Sequence, residues 1–216
     1  RRGNTEDIKW FEADPTYVLH WMNAYEDGDW LILDGFFQHD PMPAKLEGTP
    51  KPLSLYRSID LDRLQTRPHR WRFNLVTGET KEESLSDRVM EFGMINPKIA
   101  GQNYRYSYNM TGKPGWFLFD GVVKQDVLTG TEERYFFGEG VFASETPFAP
   151  RPNAAAEDDG YLITITTDMN RDCSECLIFD ATRLTDGPIA RVRLPERVSS
   201  GTHSCWTPAE ALASRQ

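Results

Sequence analysis

The sequence predicts an all-β protein built from propeller-type strand units, and three observations carry that prediction. Short β-rich runs recur at Trp30–Phe36, Trp71–Leu75, Tyr104–Tyr108, Trp116–Val123, Arg134–Phe137, Tyr161–Thr167, Cys176–Phe179 and Ile189–Leu194. Each is rich in aromatic and β-branched residues and is bounded by Gly, Pro, Asn or Asp, the residues that turn a chain. Amphipathic helices are scarce, the clearest being the short tail Pro208–Ser214. Finally, a strand–turn–strand unit repeats: Phe73-Asn74-Leu75-Val76-Thr77-Gly78-Glu79 matches Gln125-Asp126-Val127-Leu128-Thr129-Gly130-Thr131, with 52 positions between Gly78 and Gly130. A weaker copy, Phe179-Asp180-Ala181-Thr182-Arg183-Leu184, lies 54 positions beyond Asp126 when counted at Asp180.

Taken in order, Ile8-Lys9-Trp10-Phe11 reads as an opening strand. In each repeat an Asn or Asp ends one strand, a tight turn follows, and a strand runs back over Glu79–Leu85, Thr131–Phe137 or Ile189–Leu194. A unit recurring at about 40–50 residues is the period of propeller blades, which predicts about four blades here. Closed propellers have about four to eight. The start at Arg1-Arg2-Gly3-Asn4, without Met, adds the expectation that this is part of a larger ring. The Pro-rich stretches Asp40–Pro52 and Thr146–Asp159 are read as loops on one face of the ring. The whole of 1–216 is expected to be one partial propeller, the C-terminal portion of a single domain.

Composition narrows the function. The chain has 216 residues, 39% of them hydrophobic, which suffices for a core. Its 33 acidic against 24 basic residues leave a net charge of −9, a balance that disfavours broad contact with phosphate backbones and argues against a nucleic-acid partner. No apolar run approaches the roughly 18 residues of a transmembrane helix, and no secretory leader is expected. Three cysteines, an odd count, suit a reducing compartment and a cytoplasmic expectation. Cys173-Ser174-Glu175-Cys176 lacks the second pair a zinc or redox site would need, and Asp172–Glu175 reads as a hairpin tip.

Four histidines remain to be placed. His39 and His69 read as solvated, structural or surface groups, whereas His20 and His203 stand either as hydrogen-bonded structural residues or as metal ligands. Glu91, in Val89-Met90-Glu91-Phe92, and Glu145, in Val141-Phe142-Ala143-Ser144-Glu145, are carboxylates in apolar settings. Each needs a donor, either a local Arg or backbone N–H or the second N–H of a ligating imidazole.

Four stretches in order give a resemblance. They are Ile8–Phe11 with His20 and Asn23-Ala24-Tyr25-Glu26-Asp27-Gly28; Glu91-Phe92 with Ile95-Asn96 and Tyr104-Arg105-Tyr106; Glu145-Thr146-Pro147-Phe148-Ala149-Pro150-Arg151 with Glu157-Asp158-Asp159-Gly160-Tyr161; and Leu194-Pro195, Arg197, Gly201 and His203. Together they resemble the C-terminal half of the carotenoid cleavage oxygenases, the family of carotenoid and lignostilbene dioxygenases and retinoid isomerohydrolases. The resemblance implies a seven-bladed propeller with non-haem Fe(II) on its axis, held by four histidines. His20 and His203 would be the third and fourth ligands, with Glu91 and Glu145 as the acceptors behind His20 and His203 respectively. The implied reaction is cleavage of a conjugated carbon–carbon double bond by O₂ to two carbonyl products.

The implied partners are O₂ and an apolar conjugated substrate, for which an aromatic-lined tunnel would serve. Peripheral membrane contact would accompany extraction of a lipid, and an N-terminal half with the other two ligands would lie in the same or another chain. Alone, the chain is expected to bind iron poorly and be inactive. Two alternatives accompany this reading: a metal-free propeller scaffold, and isomerisation of a polyene ester on the same iron site. The sequence departs from the family pattern at Gly93, where Pro is usual, at Ser199 and Ser200, which replace a Pro-containing stretch, and at Thr202 and Ser204 beside His203.

Overall fold

A computed structural model describes residues 5–40, 65–113, 118–199 and 201–213. Strands dominate it. The first unit comprises β1 (Trp21–Asp27), β2 (Trp30–Gln38), β3 (Thr66–Asn74) and β4 (Thr80–Ser84), paired in that order as an antiparallel sheet. The second comprises β5 (Met90–Met94), β6 (Tyr106–Gly112), β7 (Phe119–Asp126) and β8 (Glu132–Phe136), paired in the same consecutive way. The third contains β9 (Val141–Ala143), β10 (Phe148–Pro150), β11 (Gly160–Asp168), β12 (Cys173–Asp180) and β13 (Pro188–Arg193). Here β9 and β10 pair with opposite ends of β11 and act as one interrupted first strand, while β12 and β13 follow on the other side. A pairing of Phe119 with Ala143 ties the second unit to the third.

The repeat read from the sequence is the last hairpin of each unit. Asn74 and Asp126 each accept two backbone N–H bonds through Oδ1, at 2.8–2.9 Å from Val76 and Thr77 and at 3.0–3.2 Å from Leu128 and Thr129. Gly78 and Gly130 then take φ of 79° and 73°, in the left-handed region that glycine enters without cost to a side chain. Asp180 likewise accepts the Thr182 N–H at 3.0 Å and continues into β13.

Several expectations need correction. The described residues form three four-stranded units rather than four, because β9 and β10 share one strand position and residues 5–20 carry no strand. Ile8–Phe11 is not a strand. It lies against the first unit through the Phe11–Phe73 ring contact at 5.0 Å and a bond from Lys9 Nζ to the Leu75 carbonyl. The run expected from Tyr104 begins at Tyr106, because Tyr104 is drawn into the core by its hydroxyl. Thr146–Asp159 is not all loop, since it contains β10. Cys173 starts β12, so the hairpin tip precedes it. Cys173 and Cys176, three apart on a strand, point to opposite faces and are both free. Trp116 and residues 41–52 of the first Pro-rich stretch lie outside the described residues. The tail helix is α1 (Ala209–Ala213).

Cores lie between and within the units. Phe92, Tyr108, Met110, Phe119, Phe148 and Leu162 belong to the largest buried cluster, which spans the second and third units. Tyr25, Ile32, Ile95 and Tyr104 form another that joins the first unit to the second. Among the described residues no helix is long and apolar enough to cross a membrane.

Candidate functional site

Three of the four residues singled out by sequence sit at irregularities in the first strands of the three units, and the fourth comes from the tail. His20 immediately precedes β1, whose register shifts between Trp21 and Asn23. Glu91 lies on β5, whose register shifts between Glu91 and Met94. Glu145 falls in the break between β9 and β10, and His203 comes from the extended segment after β13. Regular pleating would send neighbouring side chains to opposite faces, whereas breaks and bulges re-aim them.

The structure brings these residues together in two matched pairs. His20 Nδ1 lies 2.6 Å from Glu91 Oε2, and His203 Nδ1 lies 3.0 Å from Glu145 Oε1. Both carboxylates also accept backbone donors: the Phe92 N–H bonds Glu91 Oε2 at 2.8 Å, and the Ser204 N–H bonds Glu145 Oε2 at 2.7 Å. The two imidazoles meet edge to face, at 5.1 Å between centroids and 75° between planes. The hydrogen-bond network assigns the proton to Nδ1 on both rings, because a carboxylate can only accept. Nε2 of each ring then carries the lone pair and has no hydrogen-bond partner among the described residues.

Electrostatics follow the same geometry. The hydrogen bond to Glu91 raises the His20 pKa above its ordinary 6.5, burial opposes this, and the charges of Glu91 and Glu145 reinforce it. Glu91 and Glu145 are buried, His20 is half-buried and His203 is exposed. Among the described residues no group of three or more His, Cys, Asp or Glu side chains is arranged to hold a metal.

The remaining histidines lie elsewhere. His69 is not solvated as expected: it projects from β3 into an aromatic cluster, 4.5 Å from the Trp71 ring and 4.8 Å from Phe37, with Nε2 at 3.1 Å from Glu82. Burial lowers its pKa. His39 is exposed, with its ring 5.0 Å from Phe37.

Three features, the last of them away from the histidine pair, were not singled out from sequence. The Phe92 ring packs 4.6 Å from His20 and 5.8 Å from His203. Its backbone φ is 53°, a left-handed conformation that costs a bulky residue about 1–3 kcal/mol. Nothing in the residue string announces this. Asn23 accepts the Gly101 N–H at 2.9 Å and donates to the Gln102 carbonyl at 2.8 Å, tying β1 to the turn ahead of β6. Its place three residues after His20 was the available signal. Asp34, fully buried, takes two 2.8 Å bonds from Arg70 and a 2.6 Å bond from the Tyr104 hydroxyl. A carboxylate inside Leu31-Ile32-Leu33-Asp34-Gly35-Phe36 demands such partners.

Gly93, the departure from the family pattern, has a local reason. A Cβ there would stand 2.4 Å from Met22 Cγ and 2.7 Å from Asn109 Oδ1. Beside the His203 segment lies a small cavity of about 80 Å³ edged by Leu118, Phe142, Ile165 and Met169. The larger cleft, about 680 Å³ along Arg88, Asp120, Arg134 and Tyr135, shares no residue with the histidine site.

With this geometry in view, comparison with known proteins is informative. A family model described as RPE65, retinal pigment epithelial membrane protein, matches residues 1–208. A carotenoid cleavage oxygenase of Mycobacterium tuberculosis is 33% identical over 224 aligned residues, covering 96% of this chain and 41% of that protein. An isoeugenol monooxygenase of Pseudomonas putida is 30% identical, covering 95% of this chain and 44% of that protein. Among solved structures, a variant of the Synechocystis apocarotenoid oxygenase superposes with a TM-score of 0.80 at 27% identity, covering 91% of this chain and 40% of that one. The chain thus spans about two-fifths of the length of these relatives, and its strand units are those of a β-propeller. On the match over residues 1–208, the chain belongs to the RPE65 family, the family of the carotenoid cleavage oxygenases.

Proposed function

We propose that this chain is part of a non-haem iron(II) oxygenase that cleaves a carbon–carbon double bond of an apolar conjugated substrate, a carotenoid, apocarotenoid or stilbene, to two carbonyl products. The observation that carries the proposal is the adjacent pair of imidazoles, each clamped at Nδ1 by a buried carboxylate. Relatives named for oxidation of carotenoids and of isoeugenol support the reaction class.

The donor chemistry fits the metal. Neutral imidazoles suit iron(II), and a carboxylate on the far nitrogen fixes the tautomer and raises ligand basicity. His20 and His203 would hold the ion through Nε2, as two of four histidines, the others lying in the part of the relatives that this chain does not span. Bound iron(II) would supply the one-electron chemistry that dioxygen needs to react with an alkene. This chain's own residues keep both Nδ1 protons in place and orient the rings. The Phe92 ring keeps water from the side it covers. An alkene offers no polar handle, so the substrate would be held by shape and apolar contact.

The test uses the full-length protein. Purified with its metal, it is expected to contain iron and to yield two carbonyl fragments under O₂. His20→Ala and His203→Ala are each expected to abolish both. Unchanged iron content and cleavage in the two variants would overturn the proposal. A product of unchanged carbon count would point to isomerisation on the same site.

A further inference from the structure

We propose that Phe92 is a positioning residue for His20. Its left-handed backbone turns two consecutive side chains of β5 onto one imidazole, so that the ring is clamped at its edge and braced on its face. This inference rests on the metal site proposed above and deepens it.

In a regular strand residues 91 and 92 would point to opposite faces of the sheet. Here they do not. Glu91 bonds His20 Nδ1 at 2.6 Å, and the next residue lays its ring against the same imidazole at 4.6 Å with planes inclined by 37°. The pairing with β6 shows how. Glu91 pairs with Met110 and Met94 with Tyr108, so Phe92 and Gly93 together oppose the single residue Asn109. Two residues against one is a β-bulge, a device that bends a strand and re-aims its side chains.

Phe92 takes φ of 53° inside that bulge, conformational space that bulky residues avoid. A residue in this conformation persists only where its surroundings over-determine it. The surroundings are present. The Phe92 N–H donates to Glu91 Oε2, the oxygen that also receives His20. The ring is buried among Phe119 at 5.0 Å, His20 and His203 at 5.8 Å. Glycine at 93 lets Met22 pack where any Cβ would collide, so the strand after the bulge can lie close to β1. One residue thus sets the acceptor for His20 through its N–H, the tilt of His20 through its ring face, and its spacing from His203 through the ring edge.

The experiment again uses the full-length protein and has two readouts. With histidine-selective ¹⁵N labelling and the metal removed, His20 is expected to show a downfield, slowly exchanging Nδ1–H resonance, assigned by its loss in His20→Ala. Phe92→Leu keeps apolar volume, and Phe92→Gly relieves the backbone. Both are expected to fold, as judged by thermal unfolding, yet to lose or broaden that resonance. Cobalt(II) titration of the same proteins is expected to show affinity weakened about 10–100-fold, the range for loss of an outer partner of a metal ligand, with shifted ligand-field bands. The inference is overturned if the resonance persists unchanged in both variants, or if affinity falls only in proportion to a lowered unfolding temperature while the bands stay put. A parent protein that takes up neither cobalt nor iron would sink the metal reading alone, and the imidazole resonance would still judge Phe92.

Discussion

At the scale of single residues, the most consequential polar groups outside the histidine site are Asp34, Arg70 and Tyr104. Asp34 is wholly buried, and the Arg70 guanidinium grips both its oxygens at 2.8 Å. Burial and the Asp34 charge push the Tyr104 phenol well above its ordinary pKa, so it remains a hydrogen-bond donor. The triad links two strands of the first unit to the segment entering β6, and so holds the first unit to the second. Arg70→Ala leaves a buried carboxylate without its cation and is expected to cost about 3–5 kcal/mol, read by urea denaturation. The double variant Asp34→Leu with Arg70→Met removes both charges and is expected to lose distinctly less.

At the scale of elements, the repeated hairpins form a natural pair. Gly78 and Gly130 occupy equivalent turns with left-handed φ and open space around an added Cβ. Alanine at either site therefore meets backbone strain alone, and each change is expected to cost about 1–2 kcal/mol by equilibrium unfolding, equal within error. Unequal costs would separate the two turns physically. These hairpins were legible in the sequence because a turn is a local object: the Asn or Asp accepts bonds from residues two and three further on, and the glycine follows. β1, β5, β9 and β10 were not legible. Each is the first strand of its unit or part of one, and each is bulged or broken, which erases the period of two. The interruptions that hid these strands are the ones that present His20, Glu91 and Glu145. His69 was misjudged for a related reason, since Arg67-Pro68-His69-Arg70 looks polar locally while the sheet turns its imidazole toward Phe37 and Trp71.

At the scale of the whole molecule, the proposed metal would join residues that enter from the beginning of the first unit and from the tail beyond the third. A ligand bound only by the folded state raises its stability, by about 2.7 kcal/mol when present at 100 times its dissociation constant. Removing the metal from the full-length protein with a chelator is expected to lower its unfolding temperature. The same treatment is expected to leave His203→Ala unmoved, as read by calorimetry. By itself the sequence determined the all-β class and the repeated hairpin, and it singled out two histidines and two carboxylates that the fold brings into contact, because side-chain chemistry, turn signals and motif order are written locally. Only the tertiary structure decided how closely each carboxylate meets its imidazole, and that the two rings stand 5.1 Å apart. It also decided that Phe92 holds a left-handed turn between them. Those facts depend on pairings across 71 and 58 positions of chain and on bulges whose direction is set by packing between sheets, not by the residues on either side.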